Sequence, residues 1–183
     1  MTLTLREPKT LDDLLNYRLL RLYALAGAPV IRLLEGRYGI SRREWRLLAL
    51  LAAHGELSPS ALAEQAHLDR PRATRGVQML VQKSLARRSV QPGDARRAHV
   101  KLTRSGAKLY EELFPQIAAI NARLVETLDL DAATALDQAL TRLTDEALRL
   151  NQSTLSDLRA DRRAGLARRA RSWADVDGAA NGN

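Results

Sequence analysis

The 183-residue chain contains no cysteine. That excludes a disulfide framework, a thiolate zinc site, an iron–sulfur cluster and a thiol-based redox switch. Aromatic residues make up only 4% of the chain, and β-branched residues are sparse outside two short stretches. The longest unbroken apolar run, Leu47 to Ala53, is seven residues, whereas a bilayer span needs roughly twenty. Met1 is not followed by a basic and then an apolar segment, so no secretory signal is visible and the expected location is the cytoplasm. Catalytic signatures are missing too: there is no G-x-S-x-G, no P-loop and no dinucleotide glycine fingerprint. The three histidines, His54, His67 and His99, share no ligand spacing. Asp12 and Asp13 open a helix, which favours dipole stabilisation over acid–base work. The expectation is therefore no enzyme activity, no metal and no cofactor.

What is present is leucine, alanine and positive charge. Leu (34) and Ala (29) together supply about a third of the residues, a composition that favours helices with Leu/Ala cores. Lys and Arg number 29 against 21 Asp and Glu, a net charge of +8. Such an excess points to a polyanionic partner, nucleic acid first and an anionic membrane second.

Periodicity and punctuation divide the chain. Leu11 to Leu25 reads as a helix covered on more than one side. Ala28 and Pro29 mark a break, since proline disfavours helix in the residue before it, and a short helix follows from Pro29 to Gly36. Ser41 and Glu44 have capping-box spacing, opening a helix with Trp45, Leu48, Leu51 and Ala52 on its apolar face. Ser58 with Pro59 starts another, which buries Leu62, Ala63 and Ala66. Asp69 caps a third, with Ala73, Val77, Leu80, Val81 and Ser84 on one face and a basic stripe opposite. The period then changes. Ala86 to Val90, a Pro92-Gly93-Asp94 turn and the alternating Ala98 to Leu102 read as a β-hairpin with a basic tip. A long helix from Thr103 to about Leu128 carries Pro115, which should bend it, and Asp131 caps a last helix to about Leu150. The fold class is mainly α with a small β-hairpin (α+β).

The charge is local. Residues 69–104 hold ten basic and two acidic residues, the whole +8 excess, while the other 147 residues balance. A basic helix face alone is often just a solvated surface. Here the helix–turn–helix is followed by a basic hairpin, the layout of a winged helix. In that layout the helix enters the major groove and the hairpin reaches the backbone or the minor groove.

At this point the residues resemble the MarR family of transcriptional regulators. The resemblance rests on Ile40-Ser-Arg-Arg-Glu-Trp-Arg-Leu-Leu-Ala-Leu-Leu, Leu57-Ser-Pro-Ser-Ala-Leu-Ala-Glu, Leu68-Asp-Arg-Pro-Arg-Ala-Thr-Arg and Gly93-Asp-Ala-Arg-Arg-Ala-His-Val-Lys-Leu-Thr-Arg-Ser-Gly. These motifs stand in the family's order, and the resemblance covers about residues 10 to 150. The resemblance implies a winged helix-turn-helix repressor that binds a palindromic double-stranded operator as a homodimer. It implies dimerisation helices at 1–40 and 105–150 and a DNA-binding domain at 41–104, while the Arg-, Ala-, Asp- and Gly-rich remainder at 151–183 reads from composition as a basic, partly disordered tail. By position, Arg70, Arg72, Thr74 and Arg75 fall where the recognition helix meets DNA. Asp94, Arg96 and Arg97 fall on the wing, where in the family an Arg enters the minor groove and the Asp holds it. The chain departs from the pattern at Ser84, where a glycine usually closes the recognition helix. It departs again at Gln91, a frequent Asp, and at Arg72, a commoner small hydroxyl.

Family members commonly respond to a ligand held between the dimer helices and the winged helix. Tyr17, Arg18 and Arg21, with Trp45, Arg46 and His54, are the expected lining. An aromatic wall beside an arginine suits an aromatic carboxylate, and the chain is similar to the branch that governs aromatic-acid breakdown. Tyr17 and Trp45 also read as core residues, and Arg18 and Arg21 as subunit ion-pair partners. A sequence-neutral architectural DNA binder is the main alternative, and a winged-helix protein-interaction module a third reading. The six Arg and four Asp between Asn151 and Asn183 could add DNA or subunit contacts.

Overall fold

The computed structural model describes residues 5–91 and 94–153, with residues 90, 91, 94–98 and 151–153 described by backbone alone. The tail beyond Ser153 and the Pro92-Gly93 turn expected from the sequence lie outside the described residues. The described residues fall into two compact units, divided between Thr127 and Leu128.

In the first unit a 3-10 turn, Leu11–Asp13, precedes α1 (Leu15–Arg37). The break expected at Pro29 does not occur, because α1 runs straight through it. Proline's fixed φ is already helical, so the loss is one hydrogen bond to the Leu25 carbonyl, and Leu25 lies at the surface. The turns beyond Pro29 are anchored by Leu34, fully buried, with Val30 and Leu33 packed against the same core. Tertiary burial thus overrides the local rule.

The next elements follow their caps. The Ser41 hydroxyl accepts from the Glu44 N–H at 3.2 Å, and the Glu44 carboxylate accepts from the Ser41 N–H at 2.8 Å, opening α2 (Arg42–His54). Ser58 caps α3 (Pro59–Gln65) and Asp69 caps α4 (Arg70–Gln82). The buried face of α4 comprises Ala73, Gly76, Val77 and Leu80, whereas Val81 and Ser84, expected there, are exposed. Gly76 takes the place of a larger side chain because α2 crosses α4 at that point. A Cβ on it would lie 2.5 Å from Leu47 Cδ1.

Strands β1 (Ala86–Gln91) and β2 (Asp94–Leu102) pair antiparallel, with Ala86 opposite Leu102 and Arg88 opposite Val100. β2 starts four residues earlier than the alternation at Ala98 indicated. Leu57 and Val100 exchange both backbone hydrogen bonds, at 3.0 and 2.8 Å, so the hairpin is tied to the start of α3. Thr103 then caps α5 (Arg104–Val125), which runs through Pro115. The core joins Leu34 and Ile40 to Leu47, Leu48 and Leu51, to Leu62, Val77 and Leu80, and to Val100 and Leu113.

The second unit contains α6 (Leu130–Ser153). Asp129, rather than Asp131, caps it, its Oδ1 accepting from the Ala132 N–H at 2.7 Å. Asp131 is already inside the first turn. The hydroxyls of Thr134, Thr141 and Thr144 each donate to the carbonyl four residues back, and Leu136, Leu140 and Leu143 remain exposed.

Candidate nucleic-acid interface and adjoining cleft

The helix α4 sits on α2 and α3 by its apolar face, which turns Arg70, Arg72, Thr74, Arg75 and Gln78 to solvent. The first two turns of α4 are rigidly begun, since Asp69 Oδ1 accepts from the Arg72 N–H at 2.8 Å. The second Asp69 oxygen lies 3.3 Å from Arg72 Nε. Arg70 and Arg75 make no ion pair among the described residues. Of the wing residues, Asp94, Arg96 and Arg97 have their backbone on β2, and their side chains lie outside the described residues. Arg87 and Arg88, on β1, are exposed.

Two lysines counted in the basic segment are held by acids from elsewhere. Lys83 Nζ donates at 2.6 Å both to Glu44 Oε1 and to the Gly39 carbonyl. Burial pushes the Glu44 carboxyl up, but Lys83 and the Ser41 donors outweigh it, and the net shift is down. Glu56 accepts from the Ser89 hydroxyl at 2.6 Å and from Lys101 at 3.3 Å. Those two donors, Ser89 first, hold its carboxyl below the usual range. These ion pairs brace the winged helix and are not free positive charge.

Beside the winged helix, α1, α2 and α5 surround a cleft of about 1140 Å³. Its walls are mostly apolar, with Tyr23, Trp45 and Tyr110 as the aromatic members and Arg42, Arg46 and Arg123 as the cationic ones. Trp45 stacks on Tyr110 at 5.7 Å with 15° between the planes. The Arg42 guanidinium lies over the Tyr23 ring at 4.0 Å, within cation–π range. Arg46 spans the cleft and the helix–turn–helix. Its Nη2 donates to the Tyr23 hydroxyl at 3.3 Å and its Nη1 to the Ala66 carbonyl at 2.9 Å. Ala66 ends α3, and the next residue, His67, has the unusual φ of +50°.

Of the six residues expected to line this cleft, Trp45 and Arg46 do so. Tyr17, Arg18 and Arg21 lie on earlier turns of α1 and do not line it, and neither does the exposed His54, on the last turn of α2. Arg21 instead reaches Asp12 at 3.7 Å, with both side chains exposed. Sequence reading missed Tyr23, Arg42 and Tyr110. The available signal was the Ala24-Leu-Ala-Gly-Ala stretch ending at Ala28, whose small residues permit close helix approach. A Cβ on Gly27 would lie 2.7 Å from Arg42 Nη1. No cluster of metal-ligating residues and no helix long and apolar enough to cross a membrane occurs among the described residues.

Known proteins resemble this arrangement. The profile of the MarR family matches residues 38–97. The HTH-type transcriptional regulator FarR of Neisseria gonorrhoeae is 34% identical over 104 residues, 57% of this chain and 71% of FarR. A solved MarR family transcriptional regulator from Silicibacter pomeroyi DSS superposes with a TM-score of 0.64 at 30% identity, covering 75% of this chain and 90% of that one. The structure of NadR in complex with 4-hydroxyphenylacetate superposes with a TM-score of 0.64 at 29% identity, covering 74% of this chain and 98% of that one.

Proposed function

Since the chain belongs to the MarR family, we propose that it is a DNA-binding transcriptional regulator, a homodimeric repressor released from a palindromic operator by a small aromatic carboxylate. The observation that carries the DNA reading is α4 itself. Its apolar face is locked into the core, and its opposite face presents Arg70, Arg72, Thr74 and Arg75 beside the hairpin. A helix so mounted fits the major groove, where Arg makes bidentate contact with guanine. Asp94, Arg96 and Arg97 serve on the wing. Homodimerisation is supported by the leucines left exposed on the 3-10 turn and the start of α1 (Leu11, Leu14, Leu19, Leu20) and on α6. Apolar faces of that extent are ordinarily covered by another subunit.

The cleft supports the ligand reading. Aromatic and aliphatic walls would sandwich a ring, and Arg42, Arg46 or Arg123 would take a carboxylate by charge-assisted hydrogen bonds. Release requires the ligand to prefer one subunit arrangement over the other. Arg46 provides the lever, because a carboxylate that recruits its guanidinium competes with the Ala66 carbonyl at the entrance to the α3–α4 turn. A sequence-neutral architectural binder has no use for such a cleft.

The test is footprinting on DNA flanking the protein's own gene, with and without 4-hydroxyphenylacetate and related aromatic acids. Protection that survives excess unrelated DNA, is lost with an acid, and disappears in Arg75→Ala is expected. Protection without sequence preference would establish the architectural reading instead.

A further inference from the structure

Exposed arginines occur on α2 (Arg43) as well as on α4 and β1. Where α2 crosses α4, the stem of Arg43 lies beside Gly76 on the recognition helix. Arg43 Cγ and Cδ are both 3.7 Å from the position a Gly76 Cβ would take. The residue itself is exposed. Arg43 and Arg75 line one shallow groove of about 270 Å³ together with Gln78 and Gln82.

The charge in this groove is unbalanced. Its one acid, Glu44, is 5% exposed, with Oε1 committed to Lys83 and Oε2 to the Ser41 N–H. Arg43 and Arg75 pair with no carboxylate among the described residues, in contrast to Arg72, which has Asp69. Two guanidiniums and two amides facing one groove, with the only acid already neutralised, match a phosphodiester chain. They do not match a base edge, because Arg43 is rooted on α2, beside the helix that enters the groove.

We propose that Arg43 grips a backbone phosphate of the DNA strand bordering the groove that α4 enters, next to the contact made by Arg75. The proposal rests on the DNA-binding reading above. Arg43 then fixes the register of α4 on the duplex and adds affinity without adding sequence preference.

The experiment measures affinity of the full chain for its footprinted fragment and for a scrambled duplex of equal length, across a salt series. The variants are Arg43→Gln, which keeps the packed stem and removes the charge, and Arg43→Lys, which restores the charge. Arg43→Gln should weaken both duplexes by a similar factor, roughly tenfold at low salt. It should also lower the slope of log affinity against log salt by about 0.9, the share of one phosphate. Arg43→Lys should recover the slope. An unchanged slope in Arg43→Gln, alongside salt-dependent binding by the parent, would overturn the proposal while leaving the DNA reading intact. A loss confined to the footprinted fragment would overturn it as well, since that marks base readout. A parent chain whose duplex binding ignores salt would instead sink the DNA reading, and this proposal with it.

Discussion

Gly106 is the position where one added carbon should cost the winged helix most. It is buried at the third position of α5, and its N–H donates to Thr103 Oγ1 at 3.0 Å. The same hydroxyl donates to the Ser84 carbonyl at 2.7 Å, and the Thr103 N–H donates to the Leu85 carbonyl at 3.1 Å. A Cβ on Gly106 would land on the Leu85 carbonyl oxygen, with the carbonyl carbon 2.9 Å away. That neighbour is backbone and cannot rotate aside, so in Gly106→Ala either α5 or the Ser84–Leu85 segment must shift. Overpacking costs about 1–3 kcal/mol. Loss of the Thr103 cap adds about 1, and the strained Thr103–Leu85 bond about another 1. The better helix propensity of alanine returns about 1. The net is about 3 kcal/mol, or roughly 10 °C in melting temperature for a unit of this size. Calorimetry or thermal circular dichroism reads it directly. Gly36→Ala is the control: it lies in α1 with nothing within 4 Å of its added carbon, and should gain about 0.5–1 kcal/mol. If Gly106→Ala melts within about 2 °C of the parent, below the smallest shift expected for 1 kcal/mol, the close approach has been misjudged.

Ser84 has φ +57°, a left-handed conformation disfavoured for side chains with a Cβ. Ser84→Gly should therefore raise stability by about 0.5–1 kcal/mol in urea melts, and a lower midpoint would contradict this. Lys83→Met removes the cation that holds the Glu44 carboxyl low. Because the folded value lies below the unfolded one, Glu44 stabilises fully above about pH 4.3, and that contribution is lost as pH falls through the folded value. In Lys83→Met only the Ser41 donors still oppose burial, so the Glu44 carboxyl moves up. Stability should drop by about 2 kcal/mol at pH 7, and acid unfolding should begin at a higher pH than in the parent. An identical acid limb would show that the pair is not coupled to folding.

The features legible in the sequence are those whose physics is local. The caps at Ser41, Ser58 and Asp69 each satisfy an N–H three residues on, so residue type and spacing carry them. The hairpin is legible for the same reason, through alternation and a turn. Pro29 was misleading because the local penalty was real but smaller than the burial of Leu34 beyond it. The cleft was only half legible. That α2 contributes Trp45 and Arg46 follows from its capping, but which turn of α1 faces them depends on where the two helices cross. That crossing depends on packing between residues distant along the chain, which spacing within one helix does not encode. Tyr23 therefore lies in the wall and Tyr17, six residues earlier, does not.

The charge shows the same division between segment and surface. Counted along the chain, residues 69–104 hold the entire +8. In the fold, Lys83 is drawn to Glu44 and Lys101 to Glu56, acids that lie outside the segment, and each pair braces two elements of the winged helix. Meanwhile Arg43, also outside the segment, comes to rest beside Arg75. The field a duplex would meet is thus weaker at the base of the wing and stronger along the α2 side of the recognition helix than the linear count implies. Salt dependence discriminates between these distributions, because only cations that replace counterions on phosphates contribute to its slope. Neutralising Lys83 or Lys101 is expected to act on the stability of the fold, whereas neutralising Arg43 or Arg75 would, under the proposed DNA contacts, act on the number of counterions released.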